Sequence, residues 1–245
     1  MKNDTAPLRR LWQEAFGDSD GFLDAFFSTA YASDRCLVRM EGDRAVAALY
    51  WLPHWLNGEK IAYIYAVATA KSHRGQGLCH RLMAQAHDLL RSKGYAGAML
   101  VPGSASLGDF YAAMGYRYCT QIREFSVEAA ASVIPVRPLS VNEYTQFRQK
   151  MLPENSVLPG SEALAFLDTQ AKFYTGDGWL LAGYRQEDSF LGQEFLGDES
   201  KLPGILAALN APSGCFRTPG IGRNFAMYLP FDHNFFRGYL GFAFD

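Results

Sequence analysis

The sequence lacks long apolar runs and an excess of charge of either sign. None of its 245 residues falls in a stretch of the roughly 20 apolar residues that a membrane-spanning helix needs. The N-terminus, MKNDTAPLRRLW, has no apolar centre of the kind found in secretory signals. Lys and Arg number 23 against 25 Asp and Glu, a formal net charge of −2, which disfavours nucleic-acid binding. We therefore expect a cytoplasmic protein that binds neither membrane nor nucleic acid.

Cysteine is scarce and scattered. The four cysteines are Cys36, Cys79, Cys119 and Cys215. They form no CxxC pair and have no histidine at zinc-site spacing. The sequence therefore predicts reduced, mostly buried thiols in a reducing compartment and no metal site.

The first half of the chain has patterns of both helix and strand. Leu8, Leu11 and Trp12 recur at helical spacing, and Gly17 ends this pattern before a second helix. Three apolar runs follow, RCLVRM, RAVAALYWLPHWL and EKIAYIYAVAT, joined by the turn sequences EGD and NG. These runs predict an antiparallel meander, and the third strand, apolar on both faces, is expected at the centre of a sheet.

A change of composition around residues 126–137 predicts a linker, because prolines and small residues replace the periodic pattern. We therefore predict two domains, over residues 1–126 and 138–245. The second half again reads as mixed α/β, with helices and strands in alternation.

The stretch HRGQGLCHRL opens a predicted helix with two glycines beside basic residues. Helix N-termini expose unpaired N–H groups with partial positive charge, so Gly75 and Gly77 would let an anion approach, and Arg74 would add a charged hydrogen bond. No Lys-Ser/Thr pair follows, which excludes a Walker A loop. His80 stands where a dinucleotide turn needs its third glycine, and the strands before it form a meander.

The same stretch, Arg74-Gly75-Gln76-Gly77-Leu78-Cys79, resembles the acyl-CoA-binding motif Q/R-x-x-G-x-G/A of the GCN5-related N-acetyltransferase (GNAT) superfamily. Cys79 departs from the motif, where the family has Gly or Ala. The strand YAVAT before it and the stretch FYAAMGY after it are also similar to the family, over residues of about 35 to 125.

The resemblance implies an α/β GNAT fold, with a mixed, mostly antiparallel central sheet flanked by helices. A second α/β GNAT-like domain is expected to follow. This domain has no Arg-Gly-x-Gly stretch, so we expect it to be degenerate and to form a wall of the acceptor site.

The resemblance also implies residue roles in binding acetyl-CoA. The amides of the motif residues, Arg74 to Cys79, bind its pyrophosphate. The backbone of Val67, Ala68 and Thr69 pairs with the pantetheine arm, and amides near Val67 polarise the thioester carbonyl.

A further set of residues is implied around the reacting atoms. Tyr111 matches the tyrosine that protonates the departing thiolate; the alternative is a buried core tyrosine. Ser104 stands where family members often carry an Asn that contacts the cofactor. Cys79, at a helix N-terminus, would have a lowered pKa, so a covalent acyl-cysteine path is the alternative to direct attack.

The sequence gives fewer indications of the residues that bind the acceptor. Tyr63 and Tyr65 share a strand face with Val67 in the predicted alternation, and they either line the acceptor pocket or pack in the sheet. The aromatic C-terminus, FFRGYLGFAFD, is expected to bury the chain end, which makes the terminal carboxylate of Asp245 a candidate base. His87, seven residues after His80 in the motif helix, is expected on a solvated face.

We therefore expect an N-acetyltransferase that moves an acetyl group from acetyl-CoA to a small primary amine by direct attack in a ternary complex. The alternative function is a non-catalytic acyl-CoA-binding regulatory module. The sequence leaves the acceptor and the oligomeric state open.

Overall fold

A computed structural model describes residues 4–232 and 234–244. Seven α-helices lie in this part of the chain: α1 Ala6–Phe16, α2 Asp20–Thr29, α3 Leu78–Ser92, α4 Ala105–Ala112, α5 Val141–Met151, α6 Ser161–Gln170 and α7 Leu202–Ala208. The strands are β1 Cys36–Glu41, β2 Arg44–Leu56, β3 Glu59–Thr69, β4 Gly97–Leu100, β5 Arg117–Tyr118, β6 Gln121–Glu128, β7 Arg137–Leu139, β8 Leu158–Pro159, β9 Lys172–Gly176, β10 Trp179–Gln186, β11 Ser189–Gly197, β12 Ser213–Pro219, β13 Arg223–Asn224 and β14 Met227–Pro230. No helix of the described residues is both long enough and apolar enough to cross a membrane.

The chain divides into two units that are discontinuous in sequence. Unit 1 contains residues up to 117 together with 158–166 and 227–235, and unit 2 contains the rest. This division differs from the expected 1–126 and 138–245 because β6 pairs with β12 in the second sheet, while β8 and β14 pair with strands of the first. Hydrophobic patterning identifies a strand but not the sheet edge that it joins.

The N-terminal helices of unit 1 follow the predicted pattern. Leu8, Leu11 and Trp12 are buried, and Gly17 ends α1 in the left-handed conformation with φ 75°. The Ser19 hydroxyl caps α2 by accepting the amide of Phe22 at 3.2 Å. The apolar stripe of α1 is thereby directed at the sheet.

The predicted meander is confirmed in unit 1, where β1, β2 and β3 pair antiparallel. Asn57 and Gly58 connect β2 to β3 with φ values of 51° and 84°, which suits a tight two-residue hairpin turn. The strand order is β1-β2-β3-β4-β14, with β3 parallel to β4. The expectation of a central third strand is therefore confirmed.

Unit 2 repeats this arrangement. Its sheet has the order β13-β6-β12-β11-β10-β9-β7. The hairpin of β10 and β11 is followed by α7 and then by β12, which pairs parallel to β11 over Ser189–Gly192. Its core includes Trp179, Phe195, Ile205 and Phe216. The second mixed α/β lobe expected from the sequence is present.

A buried ion pair lies inside unit 2. The Arg148 guanidinium donates to both carboxylate oxygens of Glu194, at 2.7 and 2.9 Å, and Tyr144 donates to the same carboxylate. Burial lowers the pKa of Arg148, but the Glu194 carboxylate more than offsets this, so the net shift is upward. Gly241 packs directly on this pair, because a Cβ there would overlap the Glu194 carboxylate. The ion pair therefore anchors the C-terminal segment within unit 2.

Arg148→Met retains an apolar stem but leaves Glu194 buried without its cation. We expect a loss of about 3–5 kcal/mol of unfolding free energy in unit 2, measured by urea denaturation. The control is Arg123→Met, which breaks an Arg123–Glu199 pair whose side chains are 46% and 34% exposed, and should lose less than about 1 kcal/mol. Equal losses in the two variants would contradict the anchoring role.

Candidate active site

A β-bulge interrupts β3 in the middle of unit 1. Tyr50 pairs with Tyr65 and Ala48 with Ala68, so Ala66 and Val67 together face a single residue of β2. Ala66 adopts a φ of 48°, a left-handed conformation that costs a non-glycine residue about 1 kcal/mol. Strained backbone of this kind is concentrated at functional sites.

The bulge changes which side chains share a face. Because Ala48 and Tyr50 lie on one face of β2, their partners Ala68 and Tyr65 lie on that face of β3. The expectation that Tyr63 and Tyr65 share a face with Val67 is therefore wrong beyond the bulge. Nothing in the residue types marks this position, since alanine is not a residue that favours left-handed backbone.

Strand β3 also separates from β4 close to the bulge. Their parallel register runs from Ile61 with Gly97 to Tyr63 with Met99 and ends there. The remainder of β3, through Val67 and Thr69, keeps its pairing with β2 on the other side. Backbone N–H and C=O groups need partners, so this open edge of β3 is suited to bind an extended ligand.

The glycine turn leads from β3 into α3. Gly75 and Gly77 have φ values of 75° and 72°, and the N-cap of α3 is Gly77, which has no side chain that could bond the first-turn amides. The first-turn amides of Leu78, Cys79 and His80 therefore remain available to an anion. A Cβ at Gly75 would meet nothing within 4 Å, so the backbone conformation, rather than lack of space, requires glycine there.

Hydrogen bonds from neighbouring elements hold this turn. The Lys71 amide donates to the Glu14 carboxylate at 2.7 Å, and this bond lowers the pKa of Glu14. His73 contacts Glu41 at 3.0 Å, and Arg74 Nε donates to the Thr69 carbonyl at 3.3 Å. The exposed Gln76 side chain reaches the Ser72 carbonyl at 3.5 Å. The turn is thus fixed relative to α1 and β1.

Tyr111 lies on α4 and is 7% exposed. Its ring packs edge-to-face against Phe110 and Tyr116, with centroids 5.3 and 5.9 Å away. Burial raises its pKa, and the nearby Cys79 raises it further. Within residues 4–232 and 234–244 its hydroxyl makes no hydrogen bond. A buried, protonated phenol with a free hydroxyl is equipped to donate a proton.

Cys79 is a protonated thiol. Burial raises its pKa to about 11, whereas its place at a helix N-terminus led to the expectation of a lowered pKa. Desolvation disfavours the thiolate more than the helix favours it. A covalent acyl-cysteine path would need Cys79 as a thiolate, and the raised pKa keeps this thiol protonated at neutral pH.

Two further residues have partners that the sequence did not reveal. Ser104 caps α4, since its hydroxyl accepts the Leu107 amide at 3.2 Å and lies 3.0 Å from the Ser106 hydroxyl. His87 is buried, 8% exposed, and bonds the Tyr116 hydroxyl at 2.8 Å. The expected solvated face is therefore wrong for His87, whose pKa burial lowers to about 4.

The remaining site predictions have different outcomes. Tyr63 is buried and Tyr65 half-buried, and their rings stack with centroids 6.2 Å apart. Asp245 lies outside the described residues. In the described part of the chain, no group of three or more His, Cys, Asp and Glu side chains is placed to hold a metal ion.

The raised pKa of Cys79 predicts slow thiol chemistry at neutral pH. Because only the thiolate reacts, alkylation by iodoacetamide should accelerate about tenfold for each pH unit from pH 7 towards about 11. Peptide mass spectrometry measures this rate for Cys79 alone. A rate that levels off below pH 8 would contradict the burial argument.

Known proteins resemble both the sequence and the fold. Residues 2–119 match the sequence profile of a family described as acetyltransferase (GNAT) domain. A GCN5-related N-acetyltransferase from Kribbella flavida has a similar structure, with TM-score 0.66 and 17% identity, covering 89% of this chain and 66% of that chain. Another from Anabaena variabilis ATCC 29413 has TM-score 0.70 and 14% identity, covering 93% and 70%.

No curated protein matches the sequence. The sequence identities to the two solved structures are so low that these structures show a similar fold and nothing further. The profile match to the GNAT domain includes the glycine turn and Tyr111. Residues 2–119 match an acetyltransferase (GNAT) domain, which supports an acyltransferase, and the chain has the fold of GNAT proteins.

Proposed function

We propose that the protein transfers an acetyl group from acetyl-CoA to a primary amine by direct attack in a ternary complex. The observation that supports this proposal best is the early end of the pairing between β3 and β4, followed along the chain by the glycine turn and the α3 N-terminus at Gly77. An extended ligand with a phosphate at one end suits this combination.

The residues present fit each part of acetyl-CoA. The motif backbone, Arg74 to Cys79, offers the helix amides and two left-handed glycines to a pyrophosphate. The edge of β3 at Val67, Ala68 and Thr69 is assigned to the pantetheine amides, although the Thr69 carbonyl also accepts Arg74 Nε at 3.3 Å. Ser104 is assigned a contact to the cofactor, although its hydroxyl also caps α4.

The proposed mechanism has to stabilise charge on the thioester oxygen and the departing sulfur, and to remove a proton from the amine. Acetyl-CoA supplies the thioester that carries the acyl group. The backbone amide at Val67 is assigned to polarise the thioester carbonyl. Tyr111 is assigned to donate its proton to the departing sulfur, and its raised pKa keeps that proton in place at neutral pH. The carboxylate of Asp245 is proposed to take the proton of the amine.

Unit 2 is proposed as a degenerate domain that does not bind acetyl-CoA. Its parallel pair, β11 and β12, also separates after Gly192. There, however, the Thr218 hydroxyl donates to the Phe195 carbonyl at 2.9 Å in a buried position. A side chain of the protein thus occupies a backbone carbonyl of β11 beyond the point where the two strands separate. That the second domain forms a wall of the acceptor site remains a prediction.

Tyr111→Phe removes the proposed acid while keeping the ring. We expect kcat to fall about 10²–10⁴-fold, with the affinity for acetyl-CoA unchanged, because the hydroxyl acts on the leaving thiolate. Thiol release from acetyl-CoA with an amine panel measures turnover, and calorimetry measures binding.

Full activity in Tyr111→Phe would remove Tyr111 from the mechanism. Tight binding of acetyl-CoA by the wild-type protein without transfer to any amine would instead identify a non-catalytic acyl-CoA-binding module.

Gly75→Ala tests the glycine turn. The substitution places alanine at a φ of 75°, and about 1 kcal/mol of strain corresponds to a rise of about fivefold in the KM for acetyl-CoA. Gly42→Ala is the matched control, since Gly42 has a φ of 59° and equally open surroundings in the β1–β2 turn. Equal KM values for the two variants would contradict a binding role of the turn.

A further inference from the structure

A layer of aromatic rings lies beside the bulge in unit 1. Its half-buried members, called here the aromatic wall, are Phe22, Phe27, Tyr31 and Tyr65. Tyr65 is the residue directly before the bulge at Ala66. The wall therefore begins next to the backbone assigned to the thioester carbonyl.

Fully buried rings support the aromatic wall from behind. Trp12 lies at the centre, with ring centroids 6.3 Å from Phe22, 6.2 Å from Phe27 and 5.7 Å from Tyr65. Phe166 packs against Phe22 at 5.3 Å and Tyr65 at 6.4 Å. Rings held by this many neighbours present a rigid apolar surface.

The carboxylates on the neighbouring helices have partners within the protein. Asp18 accepts the Trp12 indole N–H at 2.7 Å, Asp24 pairs with Arg9 at 2.8 Å, and Glu14 pairs with Arg44 at 3.1 Å. A polycationic acceptor needs carboxylates that are free to pair with it. Asp24 and Glu14 are thus paired with cations of the protein. Asp18, and Asp20 with the Gln13 amide at 2.6 Å, accept from uncharged donors and keep their charge.

A cation also lies on the wall itself. The Arg9 guanidinium sits 4.9 Å from the centroid of the Phe27 ring. Arg9 is also the partner of Asp24 at 2.8 Å, so this pair adds no net charge to the wall. The rings of the wall thus favour a flat apolar body on the acceptor.

We propose that the acceptor is a primary amine on an aromatic or flat apolar body, and that the aromatic wall binds this body. The inference rests on the proposed acetyltransferase function and adds the chemical class of the acceptor. Stacking and edge-to-face contacts with Tyr65 and Phe22 place the amine next to the bulge.

The test compares three amines with the full-length protein and acetyl-CoA: 2-phenylethylamine, ethylamine and spermidine. We expect kcat/KM for 2-phenylethylamine to exceed both others at least tenfold, about the discrimination that an apolar site achieves. Phe22→Leu and Tyr65→Ala should each lower this preference severalfold while the KM for acetyl-CoA stays constant. Phe147→Ala, an exposed ring of unit 2, serves as the control and should change nothing.

The outcomes separate this inference from the proposed function. Equal or better turnover of spermidine or ethylamine would overturn the aromatic acceptor and leave the acetyltransferase function intact. No transfer to any amine would overturn both. A preference for 2-phenylethylamine that survives unchanged in both Phe22→Leu and Tyr65→Ala would show that another surface binds the acceptor.

Discussion

The early separation of β3 from β4 is the constraint on which the rest of unit 1 depends. Backbone groups in a sheet need partners, yet the register between these strands ends at Tyr63 and Met99. The bulge at Ala66 lies just beyond, in a left-handed conformation that alanine adopts at a cost of about 1 kcal/mol. Such a feature destabilises the free protein, and binding of an extended ligand along the strand would compensate. The glycine turn follows β3 along the chain, and the aromatic wall begins at Tyr65, directly before the bulge.

Unit 2 has the same order of elements as unit 1 but differs at the edge that corresponds to β3. Its hairpin, helix and parallel strand follow the order of unit 1, but Thr218 bridges β11 and β12 from within. The helix after the hairpin, α7, has Pro203 in its first turn, and proline removes one of the N–H groups that would bind an anion. The buried Arg148–Glu194 pair then ties the C-terminal segment into the unit. The two lobes thus differ at this edge: β3 and β4 separate early in unit 1, and a side-chain hydrogen bond bridges β11 and β12 in unit 2.

Much of unit 1 was predictable because its signals are local. The periodic apolar residues of α1, the Asn57-Gly58 turn and the glycines of the motif each determine the backbone near them. The bulge was not predictable, since Ala66 has no residue-type signature. The return of β14 to the first sheet depends on pairing with β4, which no local pattern encodes. The raised pKa of Cys79 and the burial of His87 likewise result from packing between distant elements.

Hydrogen exchange of the backbone amides, with and without acetyl-CoA, tests the central claim most directly. If acetyl-CoA lies along β3 and reaches the helix N-terminus, amides in 65–69 and 77–81 should exchange more slowly in its presence. Amides in 189–197 of β11 should not change, because Thr218 closes that edge. Binding of acetyl-CoA that protects β11, or that leaves both segments of unit 1 unprotected, would contradict the account.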